Sequence, residues 1–339
     1  MRPRRGLARR IEGEGNLAET LPIIDLAPLG QGEAGLARVA ATLRDAFERM
    51  GFAYVVNHGV PQGLVDGAFA ASRAFHAQPV ERKMAIRMNA WHRGYMPFAS
   101  SKIVTSSIQK ATRPNQSESF MLMHEVPPGD PRLAADVPLA GPNQWPDGLP
   151  GFREAVVAYD DAMRALSMRF LPVFERALGL AAGTLPPLFA QPTTFLRMLH
   201  YPPQPPDSPD DLFGSQPHTD YGFITLLVQD DAGGLQVRTR AGSWIDATPV
   251  PGSFVMNVGD ITQRWTNDRF VSTPHRVRNT SGRDRYSIPY FFDPNMDARI
   301  ECIVDAGQAP RHAPVVFGEY LMHRIDANYD YRKRESARA

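Results

Sequence analysis

After Pro192 the chain breaks into short apolar segments separated by turn residues, and this pattern limits the folds open to it. The segments are Thr194–Tyr201, Gly222–Gln229, Leu235–Thr239, Trp244–Ala247, Phe254–Val258, Ser272–Arg278, Tyr286–Phe292 and Ile300–Val304. Each is too short for a helix and rich in β-branched or aromatic residues. Short strands with turns roughly every 8–12 residues predict a two-sheet sandwich or jelly roll, its core held between the inner faces. The 31 prolines among 339 residues fit strand ends and loops, because they are scattered among apolar segments.

The first half reads differently. Leu21–Leu26 is a short edge strand closed by Pro28 and Gly30. Leu36, Val39, Ala40, Leu43, Ala46 and Phe47 recur at helical spacing and predict an amphipathic helix over Gly32–Met50. A strand follows at Phe52–Val56, then a helix from Pro61 towards Phe75. Residues 89–149 read as loops with one good strand, Glu118–Met123. Residues 151–180 read as a long helix with a kink or break at Pro172. The expected organisation is a tail at 1–20, an N-terminal region at 21–130, a helical linker at 131–190, a strand-rich core at 191–305 and a helical lid at 306–339.

Charge and cysteine content remove several functions. Basic and acidic side chains balance at 37 to 36, a net charge of +1, so no field draws nucleic acid or a membrane surface. Five arginines in the first ten residues are followed by three glutamates and no apolar run, unlike a signal peptide. No stretch reaches the ~18 apolar residues of a membrane span, and the expectation is a cytoplasmic monomer acting on a small molecule. The single cysteine, Cys302, excludes an internal disulfide and a multi-cysteine metal cage.

A metal would therefore need nitrogen and oxygen donors. His218-Thr-Asp220 places two donors on one face of an extended segment, and His275 opens another strand 55 residues beyond Asp220. An isolated H-x-D is weak; with His275 it makes a two-His, one-carboxylate set that leaves positions open, the arrangement that suits non-haem Fe(II) handling oxygen. Arg285 and Ser287 share a face of the next strand and could grip one carboxylate. Lys102, Lys110 and Arg113 are further cations for an anionic group. His58, in Asn57-His-Gly59, reads as a turn or core residue.

Several stretches in order resemble the isopenicillin N synthase-like branch of the Fe(II)/2-oxoglutarate-dependent dioxygenases. They are Leu21-Pro-Ile-Ile-Asp-Leu26, Gly51-Phe-Ala-Tyr-Val-Val-Asn-His-Gly-Val60, Gly94-Tyr95, Leu196-Arg-Met-Leu-His-Tyr-Pro-Pro203, His218-Thr-Asp220, Asn257-Val-Gly-Asp260, Trp265-Thr-Asn-Asp-Arg-Phe270, Ser272-Thr-Pro-His-Arg-Val277 and Arg285-Tyr-Ser-Ile-Pro-Tyr-Phe291. The resemblance spans residues 21–331. It implies a mainly β fold with packed α-helices around a double-stranded β-helix (jelly-roll) core. It also implies His218, Asp220 and His275 as ligands of Fe(II), Arg285 and Ser287 as the anchor of the far carboxylate of 2-oxoglutarate, and Tyr201 beside that cosubstrate. Leu199 stands where many plant members carry an asparagine, which removes a donor to the metal-proximal carboxylate.

Such an enzyme consumes O2 and 2-oxoglutarate and releases succinate and CO2 while hydroxylating, desaturating or cyclising a small organic, secondary-metabolite-like substrate. Phe291 falls where relatives place a ring over the substrate; Phe120, Leu122 and Tyr221, with Met96 and Phe98, are further candidate wall residues. Two other readings stay open: an isopenicillin N synthase-type oxidase without 2-oxoglutarate, and a non-catalytic metal-stabilised binding protein.

Overall fold

Nearly every residue of the longest strands is buried, so both faces of the main sheet need a covering layer, and the chain supplies two different ones. The computed structural model describes residues 20–103, 108, 112–135, 137–205 and 207–328. Its first half runs β1 (Ile23–Asp25), α1 (Gly32–Arg49), β2 (Phe52–Val56), α2 (Gln62–His76), α3 (Val80–Met84), β3 (Gly94–Met96), β4 (Glu118–Met123), α4 (Pro131–Ala134) and α5 (Phe152–Leu178). The second half runs β5 (Thr193–Tyr201), β6 (Ser215–His218), β7 (Ile224–Gln229), β8 (Leu235–Arg238), β9 (Trp244–Asp246), β10 (Phe254–Val258), α6 (Asp260–Trp265), β11 (His275–Val277), β12 (Arg285–Asp293), β13 (Arg299–Ile300), β14 (Val315–Val316) and α7 (Phe317–Asn328).

Eight strands form one sheet in the order β1-β2-β10-β7-β12-β5-β4-β3, and four form a second in the order β6-β11-β8-β9. Together they make the jelly-roll core, with helices packed on the outside of the larger sheet. Side-chain alternation sorts the two layers. Leu196, Met198, Ile288, Tyr290 and Phe292 point to the helices and join the core built by Val39, Leu43 and Phe47 of α1 with Met163, Phe170 and Phe174 of α5. Leu199, Tyr201, Val237, Val255 and Val277 face the other way and line the space between the sheets. Antiparallel pairing of β5 with β12 aligns Tyr201 with Arg285, Leu199 with Ser287 and Phe195 with Phe291.

The expected helices and strands of the first half lie within a residue or two of their predicted bounds. Pro172 does not break its helix: α5 runs from Phe152 to Leu178 with the proline inside. An internal proline costs ~3 kcal/mol, but Phe170, Leu171, Val173 and Phe174 around it are all buried, and Phe174 stacks on Phe47 at 6.0 Å. Packing offsets the lost backbone bond. Within 131–190, helix is confined to α4, α5 and a 3₁₀ turn at Pro186–Phe189. The strand expected at Ile300–Val304 shrinks to a two-residue pairing of β13 with β14. The strand β6 was not expected, because Ser215-Gln-Pro-His218 has neither β-branched residues nor alternation; it is an edge strand, where a proline is tolerated.

A buried polar cluster fixes β3, β4 and β5 from the helix side. Glu118 accepts from Lys83 at 2.7 Å, from the Tyr95 hydroxyl and from His200 at 2.9 Å, and His200 stacks on Tyr286 at 4.8 Å. Burial alone would raise the Glu118 carboxyl, but the bonds from His200, Lys83 and Tyr95 outweigh it and hold it at about 2. A carboxylate depressed in the folded state stabilises above its unfolded pKa and loses that contribution as pH falls through the folded value. Glu118→Gln is expected to cost roughly 3–5 kcal/mol at neutral pH. It should also flatten the fall in stability between about pH 4.5 and 2, measured by urea unfolding across that range. Phe174→Ala should cost about 3–5 kcal/mol in the same assay.

Candidate active site

The extended segment after β6 and the start of β11 bring three metal-ligating side chains to one point between the sheets. His218 ends β6, His275 begins β11, and the two are directly paired across the strands. His218 Nε2 lies 3.8 Å and His275 Nε2 3.6 Å from Asp220 Oδ1. Candidate ligand atoms of the three lie within 4.8 Å of one another, the one such cluster of His, Cys, Asp or Glu among the described residues.

Each donor is aimed by a second bond. His218 Nδ1 donates to the Gln216 carbonyl at 2.7 Å and His275 Nδ1 to the Thr273 carbonyl at 3.2 Å, an assignment that leaves both Nε2 lone pairs facing the centre. Asp220 Oδ2 accepts from Thr225 Oγ1 at 2.6 Å and Asn257 Nδ2 at 2.8 Å, which leaves Oδ1 free. Burial raises the Asp220 carboxyl, yet His275, His218, Asn257 and Thr225 together pull it below its ordinary value. Burial and the neighbouring His275 lower His218 to about 4, so its ring is neutral, as a ligand must be. The donor set fits Fe(II) with open positions.

Two glycines let the backbone close around this point. A Cβ on Gly222 would sit 1.8 Å from Asp293 Oδ1, and one on Gly259 would sit 2.3 Å from the Gly222 carbonyl oxygen. The Asn257–Asp260 turn expected to support the metal strands does so twice: Asn257 bonds Asp220, and the Asp260 amide donates to the Asp220 carbonyl at 2.8 Å.

Arg285 is fully buried on the inner face of β12, with its guanidinium 4.7 Å over the Tyr201 ring. It donates to the Gly233 carbonyl, to Ser287 Oγ at 3.1 Å and to Gln229 Oε1 at 3.2 Å. Among the described residues no carboxylate lies within 4.0 Å of it. A buried guanidinium without an anion is costly, so this donor set fits a bound carboxylate. Arg285, Ser287 and Tyr201 line a cavity of about 80 Å³ that reaches the three ligands; Leu199 contributes only apolar surface there.

A second cavity, of about 130 Å³, opens on the other side of His218 and Asp220. Phe291 and Tyr221 line it as expected, but Phe120 and Leu122 do not. Both lie on the helix side of β4, where Phe120 packs 5.1 Å from Phe75 and 5.4 Å from Phe152. The two share a face, but the opposite one; the alternate residue, Met121, reaches the cavity. Met96 and Phe98 do not line it either. Lys102 does, Arg113 is paired with Asp211 at 3.2 Å, and Lys110 lies outside the described residues. His58 is structural: Nδ1 accepts from the Val60 amide at 3.1 Å and Nε2 faces the Gly252 carbonyl at 3.2 Å.

Sequence reasoning missed Arg197, Thr225 and the α7 residues Leu321, Ile325 and Asn328 at this site. Arg197 could have been found, since it shares a strand face with Leu199 and Tyr201.

Comparison with known proteins places this geometry. The model for the 2OG-Fe(II) oxygenase superfamily matches residues 192–294, and that for the N-terminal region of the non-haem dioxygenase in morphine synthesis matches 21–148. The 2-oxoglutarate-Fe(II) type oxidoreductase hxnY of Emericella nidulans is 35% identical over 319 residues, 91% of this chain and 90% of the relative. The chain belongs to the 2OG-Fe(II) oxygenase superfamily. The 2-oxoglutarate-dependent dioxygenase citB of Monascus ruber is 34% identical, covering 92% of this chain and 96% of its own. A full-length Neurospora crassa protein, solved in complex with alpha-KG and thymine, superimposes with a TM-score of 0.81 at 29% identity, covering 92% of this chain and 98% of that one. As a member of this family the chain is an oxygenase that uses Fe(II), 2-oxoglutarate and O2. No helix among the described residues is long and apolar enough to cross a membrane.

His275→Ala is expected to abolish Fe(II) binding in an anaerobic ferrous titration. Asn257→Ala should weaken it by about 10–100-fold, because Asp220 is then free to rotate.

Proposed function

We propose that this oxygenase holds Fe(II) on His218, Asp220 and His275 and 2-oxoglutarate on Arg285, Ser287 and Tyr201, and oxidises an unactivated C–H bond of a small organic substrate in the neighbouring cavity. The observation that carries the assignment is the fully buried Arg285 with no carboxylate partner among the described residues, facing the same interior space as three convergent metal donors. Fe(II) held by His218, Asp220 and His275, with 2-oxoglutarate on Arg285 and Ser287, would supply oxygen activation and the capacity to remove hydrogen from the substrate, with succinate and CO2 as coproducts. Hydroxylation, desaturation and cyclisation would all begin from that abstraction, and a secondary metabolite is the kind of small organic substrate proposed.

The chain's own residues supply position and shelter. Thr225 and Asn257 keep Asp220 in one orientation, and Arg285 with Ser287 fixes the length and direction of the cosubstrate. Leu321 and Ile325 of α7 cover the substrate cavity with apolar surface and exclude water. We also propose the division of labour along the chain: residues 191–305 carry the reacting groups and 306–328 the cover, while 329–339, the rest of the expected lid, lie outside the described residues. We further propose that the enzyme acts as a cytoplasmic monomer.

Anaerobic addition of Fe(II) and 2-oxoglutarate should give a visible charge-transfer band, and aerobic turnover should release succinate. Oxygen uptake with substrate but no 2-oxoglutarate would overturn the cosubstrate assignment. Arg285→Gln should raise the KM for 2-oxoglutarate by about 100-fold and Ser287→Ala by about 10-fold, with the iron site intact.

A further inference from the structure

The interior face of the jelly roll carries a second arginine with no anionic partner among the described residues. Arg197 projects from β5 on the same face as Leu199 and Tyr201, four residues before the tyrosine that covers Arg285. It lines both cavities, beside His218 and Asp220. Its side-chain partners among the described residues are Ser119 Oγ at 2.9 Å and the thioether of Met96 at 3.3 Å. Neither is an anion, and a guanidinium has five donors. With Fe(II) on His218, Asp220 and His275 and the far carboxylate of 2-oxoglutarate on Arg285, as proposed above, both of those charges would already be met. The second cation is therefore left over for the other reactant.

The surrounding walls describe the rest of that reactant. Phe195 and Phe291 meet edge to face at 6.4 Å, and His92 meets Phe195 at 6.0 Å. The Tyr221 ring is held between the Arg324 guanidinium at 4.5 Å and the Asn328 amide, which donates to its hydroxyl at 2.6 Å. Met121, Leu321 and Ile325 add apolar surface. A cavity of roughly 150 Å³ with apolar walls accepts one benzene-sized ring, and this one measures about 130 Å³. Lys102 adds a cation at the rim, while the cavity's other carboxyl, Asp293, is engaged by the Phe223 amide at 2.6 Å.

Resting on the oxygenase reading above, we infer that the substrate is a single-ring aromatic or heteroaromatic compound bearing an anionic oxygen, held by Arg197 against the Phe195, Phe291 and Tyr221 rings. A guanidinium in a cavity of low polarity favours an anion over its neutral isostere, and aromatic walls favour a flat ring.

The test uses the full-length enzyme with Fe(II) and 2-oxoglutarate. A panel of monocyclic aromatic carboxylates, their carboxamides and ring-hydroxyl oxyanions is scored for stimulation of succinate release. At least one anionic class should stimulate turnover, with kcat/KM at least tenfold above its neutral counterparts. The class that does so separates a carboxylate from a ring oxyanion. Arg197→Gln should abolish that preference through KM while leaving the anaerobic charge-transfer band and the affinity for 2-oxoglutarate unchanged, and Arg197→Lys should restore part of it. Equal stimulation by acids and amides, or no stimulation by any acid, overturns the inference. Loss of 2-oxoglutarate binding in Arg197→Gln would also overturn it, by assigning the arginine to the cosubstrate. A missing charge-transfer band in the wild-type enzyme would instead mark failure of the oxygenase reading.

Discussion

The pairing of β5 with β12 sets the position of every reacting group except the metal. With Tyr201 opposite Arg285, Leu199 opposite Ser287 and Phe195 opposite Phe291, the inner face presents, in order along the strands, an anion anchor, an apolar middle and an aromatic end. A slip of one residue would turn Arg285 and Ser287 towards the helices and bring Tyr286 and Ile288 inside. The register is held from behind: Ile288, Tyr290 and Phe292 are completely buried against the helices, and Glu118 ties Lys83, Tyr95 and His200 together across β3, β4 and β5. Helices α1 and α5 thus help fix the geometry of a site whose cavities they do not line.

The metal donors depend on a different sheet. His218 and His275 are paired across β6 and β11, while Asp220 sits on the loop between β6 and β7 and is oriented by Thr225 and Asn257 of the larger sheet. The centre is therefore assembled where the two sheets meet, with the cavity proposed for the cosubstrate on one side and the cavity proposed for the substrate on the other. The two histidines are held by paired strands, and Asp220 by its bonds to Thr225 and Asn257. The apolar α7 cover is tied to Asp260 by Arg324 at 2.6 Å.

Much of this was legible in the sequence. His218, Asp220, His275, Arg285 and Ser287 announced themselves because reacting groups must be polar where their neighbours are apolar, and because their spacing fixes shared strand faces. The helices of the first half were legible through long apolar periodicity. β6 was not, since Ser-Gln-Pro-His has no strand signal and exists only through its pairing with β11. Pro172 misled for the reverse reason, as packing on both sides of α5 overrides a local rule.

By itself, the sequence determined the donor chemistry, the strand-rich core and the parity of each strand, since these follow from residue types and a two-residue repeat. Tertiary structure alone decided which face of each strand is the inside. Phe120 and Leu122 share a face whatever the fold, but only the packing of Phe75 and Phe152 against Phe120 turns that face from the cavity and leaves Met121 there. It also decided that Arg197 has no anionic partner among the described residues, because a charge's partners come from strands far apart in the chain.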